Sequence, residues 1–112
     1  MKSIVFLGAK ALGARCLAYL HENSKSLGAE VRAVVTSPRG TGVRKICADT
    51  GLRLYESMEN LEADVDSCDL IISVQYHEIL KQPQIDLARD IAVNLHMAPL
   101  PEYRGCNQFS FA

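Results

Sequence analysis

The chain has 112 residues, of which 48% are hydrophobic, and this is enough for one folded domain with a buried core. Its formal net charge of −1 excludes the strong positive field of a general nucleic-acid or anionic-membrane binder. It has no apolar run of the roughly 18 residues that a membrane span needs, and its first apolar run is too short for a signal peptide. The four cysteines form no Cys-x-x-Cys pair, which favours free thiols over a zinc site. We therefore expect a soluble, cytoplasmic domain without a metal.

Five short runs rich in β-forming residues predict strands, and most of them are apolar on both faces. They cover residues 3–7, 31–35, 53–55, 69–74 and 91–95. Between them, apolar residues at helical spacing predict a first helix over residues 11–22 and a second helix around Val43 to Cys47, with Gly51 as its C-terminal cap. A polar connection over residues 58–63 has room for about one helical turn, and Pro83 interrupts the last crossover.

Alternation of strands and helices predicts an α/β fold with a mostly parallel sheet. Right-handed crossovers give a Rossmann-like, doubly wound sheet with the strand order 3-2-1-4-5. Residues 107–112 have the pattern of the opening turn of a helix that lacks a C-terminal cap, so we expect a chain that is truncated at this end. An apolar surface left uncovered by that truncation would allow the chain to form a homodimer.

The turn after the first strand, Gly8-Ala-Lys-Ala-Leu-Gly13, lies where a dinucleotide fingerprint would lie. Lys10 occupies the position where the fingerprint has its second glycine, and no acidic residue follows the second strand. NAD is therefore not expected as a cofactor. The glycines fit two interpretations equally well: a tight strand-to-helix turn, or contact with an anionic substrate at the helix N-terminus through Gly8 and Lys10.

Asn94 and His96 stand two residues apart at the end of the fifth strand, so their side chains should point to the same side. Ligands of open α/β sheets bind at the carboxyl ends of the strands. An amide can donate to an oxyanion, and an imidazole can exchange a proton near neutral pH, a combination that suits attack of an amine on a carbonyl. Taken alone, the pair is better explained as anchoring the following loop, and the single histidines His21 and His77 also favour structural roles.

The surrounding residues are more specific. The stretch Asn94-Leu-His-Met-Ala-Pro-Leu-Pro-Glu-Tyr-Arg-Gly105 closely resembles the signature of the folate-dependent formyltransferases, a family that includes methionyl-tRNA, glycinamide-ribonucleotide and nucleotide-sugar N-formyltransferases. The resemblance extends back through Ser73-Val-Gln-Tyr-His-Glu-Ile-Leu80 and through Gly8 and the first helix. The resemblance thus covers nearly the whole chain. It implies that residues 1–112 are the N-terminal part of a single, incomplete catalytic domain.

The resemblance implies transfer of a formyl group from N10-formyltetrahydrofolate to a primary amine. Asn94 and His96 would be catalytic by this analogy, polarising the formyl carbonyl and stabilising the tetrahedral intermediate. The walls of the folate pocket would be His77, Glu78, Ile79, Leu80, Ala98, Pro99, Leu100 and Pro101. Candidate substrate-binding residues are Gly8, Lys10, Tyr76, Tyr103 and Arg104. For Tyr103 and Arg104, packing and bonding within the loop is an equally good interpretation.

Two departures from the family pattern change what we expect of the chain's activity and of its amine acceptor. The family's third catalytic residue is an Asp beyond the Asn-x-His motif, in a segment that this chain lacks, so we expect the isolated 112 residues to be inactive. Methionyl-tRNA enzymes carry a long basic insertion after the second strand, whereas residues 36–45 here are short, with only Arg39, Arg44 and Lys45. Because tRNA binding depends on many phosphate contacts, this favours a small amine acceptor, such as a nucleotide-linked amino sugar, over a nucleic acid.

Two hypotheses of other classes stay open. The first is a Rossmann-type nucleotide-binding module without catalysis, which Lys10 and the missing acid disfavour. The second is an interaction or regulatory fragment that keeps the fold without the activity.

Overall fold

The computed structural model describes residues 1–74, residue 76, residues 80–95 and the backbone of residues 110–111. The strands are β1 Lys2–Gly8, β2 Ala29–Val35, β3 Arg53–Tyr55, β4 Cys68–Val74, β5 Ala88–Leu95 and β6 Ser110–Phe111. The helices are α1 Ala11–Glu22, α2 Ser24–Leu27, α3 Thr41–Thr50, α4 Met58–Asp64 and α5 Gln82–Ile85.

One sheet holds these six strands in the order β3-β2-β1-β4-β5-β6. Strands β1 to β5 are mutually parallel, which confirms the predicted order 3-2-1-4-5 and the α/β Rossmann-like class. The order reverses between β1 and β4. The carboxyl ends of all five parallel strands therefore lie on one edge of the sheet, the carboxyl edge, and their beginnings lie on the opposite amino edge.

The main difference from the prediction lies beyond β5. Ser110 and Phe111 were expected in the first turn of a helix, but they form β6, which pairs antiparallel with β5 at Val93 and Ala92. The apolar alternation here is too short to distinguish the period of a helix from the period of a strand. Pairing with the free edge of β5 makes these residues a strand. Two smaller corrections concern α2, which was not predicted, and α4, which has seven residues where about one turn was expected.

Three helix ends have an identifiable cause. The α3 helix ends at Gly51 (φ 78°), as predicted, and α2 ends at Gly28 (φ 69°), both in the left-handed region that favours glycine. The α4 helix begins because the Ser57 side chain accepts a hydrogen bond from the Asn60 backbone N–H at 3.2 Å.

The core consists of one layer on each side of the sheet. The layer that we name the α1 face packs α1 and α3, through Leu17 and Val43, on strand residues that include Phe6. The α4 face packs α4, through Leu61, on residues that include Leu7. On both faces the central residues are fully buried. The sheet is therefore covered on both sides around β1 and β2, as its apolar strands predict.

Candidate functional site

The carboxyl ends of three strands stand in register at the edge where the sequence places the site. Gly8 of β1 pairs with Val74 of β4, and Val74 pairs with Leu95 of β5. The three chain segments that leave these strands therefore start side by side. This is the place where an open α/β sheet presents loops to a ligand.

Asn94 lies one residue before the end of β5 and is half-buried. Its partner in the register is Ser73 of β4, which is only 3% exposed. Asn94 has the same strand parity as Ala92, whose side chain packs in the α4-face core, so the Asn94 side chain belongs to that face as well. Its side-chain amide forms no hydrogen bond within the described residues.

Ser73 is a polar residue at this edge that the sequence analysis did not select. Its signals were its place at the start of the segment 73–80 that resembles the family and a single hydroxyl within the otherwise apolar end of β4, Leu70-Ile-Ile-Ser-Val74. Register, which the sequence does not show, brings it beside Asn94. An amide and a hydroxyl on adjacent strands give this edge two polar groups within a hydrophobic surround.

Two of the predicted binding residues follow β4. Tyr76 is 9% exposed and belongs to the α4-face core, and the half-buried Leu80 packs against the same cluster. Both therefore cover the face on which Asn94 lies. Their packing gives them a structural role, and their predicted contacts with substrate and folate stay predictions.

The turn from β1 into α1 depends on glycine for close packing. A Cβ added to Gly8 would lie 2.8 Å from the Phe6 ring and 3.3 Å from the Gly13 Cα, so α1 could not approach the strand as it does. Lys10 is exposed at the N-cap of α1, where no side chain caps the helix and no acidic residue occupies the first turn. The free backbone N–H groups and the ammonium group make this turn favourable for an anion.

The neighbouring turn from β2 into α3 contains the one buried side-chain oxygen or nitrogen in the described residues that has no hydrogen-bond partner, the Thr36 hydroxyl. Thr36 is fully buried directly after β2. A Cβ on Gly40 would lie 1.9 Å from this hydroxyl and 3.3 Å from the Ala9 Cα, so only glycine fits between the two turns. No sequence signal marks this contact, because it joins residues from two separate loops.

The remaining predicted site residues lie outside the residues that the structure describes. They are the catalytic candidate His96, the folate-pocket candidates His77, Glu78, Ile79, Ala98, Pro99, Leu100 and Pro101, and the substrate candidates Tyr103 and Arg104.

The thiols in the described part of the chain are free and poorly suited to nucleophilic chemistry. Burial raises the pKa of Cys16 and Cys47, and burial together with the nearby Asp69 carboxylate raises the pKa of Cys68 to about 11. Within the same residues, no three His, Cys, Asp or Glu side chains cluster as a metal site would require. No helix described by the structure is both long and apolar enough to cross a membrane.

Comparison with curated proteins identifies several relatives that carry the same name, methionyl-tRNA formyltransferase. A methionyl-tRNA formyltransferase of Protochlamydia amoebophila is 31% identical over 123 residues, which cover 91% of this chain and 36% of that protein. A protein of the same name from Clostridium acetobutylicum is 27% identical over 130 residues, covering 100% of this chain and 40% of its own length. This chain thus spans well under half the length of these relatives, and no protein-family model matches it.

Among solved structures, a phosphoribosylglycinamide formyltransferase from Coxiella burnetii aligns with a TM-score of 0.65 at 20% identity. The alignment covers 91% of this chain and 54% of that one. At this identity the likeness concerns the fold, which matches over nearly all of this chain.

Proposed function

This chain is a relative of the formyltransferases along nearly its whole length, and on that premise we propose that it forms part of a catalytic domain that transfers a formyl group from N10-formyltetrahydrofolate to a primary amine. The observation that carries the proposal is the 31% identity to a methionyl-tRNA formyltransferase over 91% of the chain. The position of Asn94 at the carboxyl edge, with its amide unbonded within the described residues, gives the proposal a chemical basis.

In this proposal the Asn94 amide donates a hydrogen bond to the formyl oxygen as negative charge develops there. Attack of the amine on the formyl carbon forms a C–N bond, and the tetrahedral intermediate collapses when the bond to N10 of the folate breaks. The attacking nitrogen must lose a proton and the leaving N10 must gain one, and we propose that His96 accepts the first and supplies the second. The low-polarity surround of Asn94 and Ser73 strengthens a hydrogen bond to a developing oxyanion.

The walls of the proposed folate pocket are residues 77–80, in the segment that follows β4, and residues 98–101, in the segment that follows β5. These strands are neighbours, so the segments begin side by side. A pterin needs an apolar slot with a few oriented polar groups. Tyr76 and Leu80 pack on the α4 face, the face to which Asn94 belongs, which supports their proposed contribution of apolar side chains to the site.

For the acceptor we propose a small amine that carries an anionic group, such as a nucleotide-linked amino sugar, bound at the β1–α1 turn by Lys10 and the α1 N-terminus. Only residues 36–40 connect β2 to α3. The alignment of 130 residues to the Clostridium relative is longer than this 112-residue chain, so that relative has residues without a counterpart here. The short β2–α3 connection offers few basic groups for a long nucleic acid, which supports the proposal of a small acceptor.

Methionyl-tRNA is an equally good acceptor candidate, because it is in the name of the curated relatives. The two acceptors differ in their dependence on salt. Binding of tRNA through several phosphates weakens by orders of magnitude between about 50 and 200 mM salt, whereas binding of a small phosphorylated amine changes far less. Formyl transfer by the full-length protein to each acceptor, measured across this salt range, separates them.

The first test is titration of the 112-residue chain with 5-formyltetrahydrofolate, followed by amide NMR shifts. We expect shifts concentrated at residues 76–80 and 94–101. In a separate activity assay, we expect no formyl transfer by this chain alone. Shifts spread evenly over the surface, or confined to the amino edge, would contradict the proposed pocket. If no shifts occur at millimolar ligand, the same titration of the full-length protein decides: shifts there support the pocket, and none rejects it.

A further inference from the structure

An apolar groove of about 410 Å³ lies on the α1 face, between α1 and the strands β4 and β5. The residues that line it are Arg15, Cys16, Tyr19, Leu20, Ile72, Val74, Val93 and Leu95. Tyr19 is 57% exposed and Leu95 is 38% exposed, and as lining residues of one groove they form part of a contiguous apolar patch. The groove faces away from Asn94, so it is separate from the proposed active site.

One side of α1 continues this groove toward solvent. Ala11, Arg15, Tyr19 and Glu22 follow one another at intervals of four, four and three residues, and all four are exposed. This spacing places them on one stripe of the helix. Neither Arg15 nor Glu22 forms an ion pair within the described residues, although several other arginines there do.

We propose that this stripe and the groove form an interface with a second copy of the chain, in which two α1 helices pack antiparallel about Tyr19. Arg15 precedes Tyr19 by four residues and Glu22 follows it by three, which is about 6 Å and 4.5 Å along the helix axis. Reversal of the helix direction therefore brings Arg15 of each copy opposite Glu22 of the other. Tyr19 of each copy lies at the two-fold axis and enters the other copy's groove.

A second copy fits this surface because the surface is complementary to itself. The stripe reads cation, aromatic, anion in one direction and anion, aromatic, cation in the other, which is what a two-fold symmetric interface needs. An apolar small molecule would fill the groove but leave both charges unused. The interface also covers apolar surface that would otherwise face water. The inference is independent of the proposed function.

Sedimentation equilibrium of the chain and of charge variants tests the interface. Wild type should be dimeric, and Arg15→Glu or Glu22→Arg should each raise the dimer dissociation constant about tenfold or more, because each creates two like-charge contacts. The double variant R15E/E22R should dimerise like wild type. Lys45→Glu, an exposed residue on α3, is the matched control and should leave the dissociation constant unchanged.

Mixing provides a second measurement that depends on the antiparallel geometry. An equimolar mixture of the two single variants should form heterodimers, because the carboxylate introduced by Arg15→Glu in one copy then faces the guanidinium introduced by Glu22→Arg in the other. The remaining native pair, Glu22 of the first copy and Arg15 of the second, is restored as well. Circular dichroism confirms that each variant is folded. A wild-type chain that stays monomeric at millimolar concentration overturns the proposal. So does a failure of the double variant and the mixture to recover, or an equal effect of Lys45→Glu.

Discussion

The two edges of the sheet differ in how their polar groups are partnered. At the amino edge, charged groups are bound to one another: Lys2 pairs with Asp90, and the Asp69 carboxylate accepts from the Ser3 N–H at 2.8 Å and from Arg89 at 3.0 Å. At the carboxyl edge, Lys10, Thr36 and Asn94 have no side-chain hydrogen bond or ion pair within the described residues. Other groups at this edge are partnered: Arg44 holds Glu56 in a bidentate pair at 2.8 and 2.5 Å, and the hydroxyls of Ser37 and Ser57 each accept a backbone N–H at 3.2 Å.

This difference distinguishes the amino edge, whose charged groups bind one another, from the carboxyl edge, where the proposed chemistry would take place. An unpartnered polar group costs free energy when it is buried, so a buried one such as the Thr36 hydroxyl is a candidate for a hydrogen bond to a ligand. Exposed ion pairs contribute little individually. The amino edge is therefore expected to tolerate substitution with small effects on stability and none on activity, and the carboxyl edge to be sensitive in both.

The largest expected effect is that of Asn94→Ala on formyl transfer by the full-length protein. Loss of one hydrogen-bond donor to a developing oxyanion lowers kcat by about 10² to 10³. Thermal stability should be unchanged, because the amide forms no hydrogen bond within the described residues. Arg89→Ala at the amino edge is the control and should keep full activity. Full activity in the Asn94 variant would remove this residue from the chemistry and erase the contrast between the edges.

The next effect concerns the contact between the two turns at the carboxyl edge. Gly40→Ala places a methyl group 1.9 Å from the Thr36 hydroxyl of its own turn and 3.3 Å from the Ala9 Cα of the β1–α1 turn, so the β2–α3 turn must rearrange and move away from Ala9. Overpacking of this kind lowers the free energy of unfolding by about 1–3 kcal/mol, measurable as a shift of the urea midpoint.

The comparison for Gly40 is Gly28→Ala, which meets no atom within 4 Å but has φ 69°. Backbone strain alone should make its loss about 1 kcal/mol. An equal or smaller loss at Gly40 would show that the two turns are not packed as described.

A smaller effect of opposite sign is expected for Thr36→Val. The substitution keeps the shape of the side chain and removes a buried hydroxyl that lacks a partner. We expect a gain of up to about 1 kcal/mol in the free energy of unfolding, since the desolvated hydroxyl no longer opposes folding. A clear loss in the urea midpoint would mean that the hydroxyl has a partner in solution, such as a bound water, and that the polar groups of this edge are better satisfied than described.

The sheet could be predicted from the sequence because its signals are local. Most strands of the parallel set are short apolar runs, and the helix over residues 11–22 has regular apolar spacing. The structure confirms the order 3-2-1-4-5 and that helix. The helical prediction for the residues of β6 was wrong, because two residues contain no period and only the open edge of β5 determines their pairing.

The site could be predicted only in part, for a different reason. A sequence motif marks Asn94 as a candidate, but Ser73 lies beside it only through strand register, and Gly40 meets Ala9 only through contact between two separate loops. Hydrophobic patterning contains no information about such contacts. It specifies where the carboxyl edge lies, and the fold specifies which polar groups meet there.

The smallest expected effect tests the amino edge through pH. The hydrogen bond from the Ser3 N–H, and then the charge of Arg89, hold the pKa of Asp69 below its ordinary value. A lowered pKa means that the stabilisation is present above the carboxyl pKa of the unfolded chain, about 3.9, and is lost as pH falls through the folded value. Asp69→Asn should therefore flatten the acid limb of unfolding free energy measured from pH 6 to pH 2. Asp66→Asn, an exposed carboxylate without a hydrogen bond in the described residues, should keep the wild-type slope. If both variants follow the wild-type curve, the paired charges of the amino edge add nothing measurable to the fold, and the two edges differ only in what the carboxyl edge leaves unpartnered.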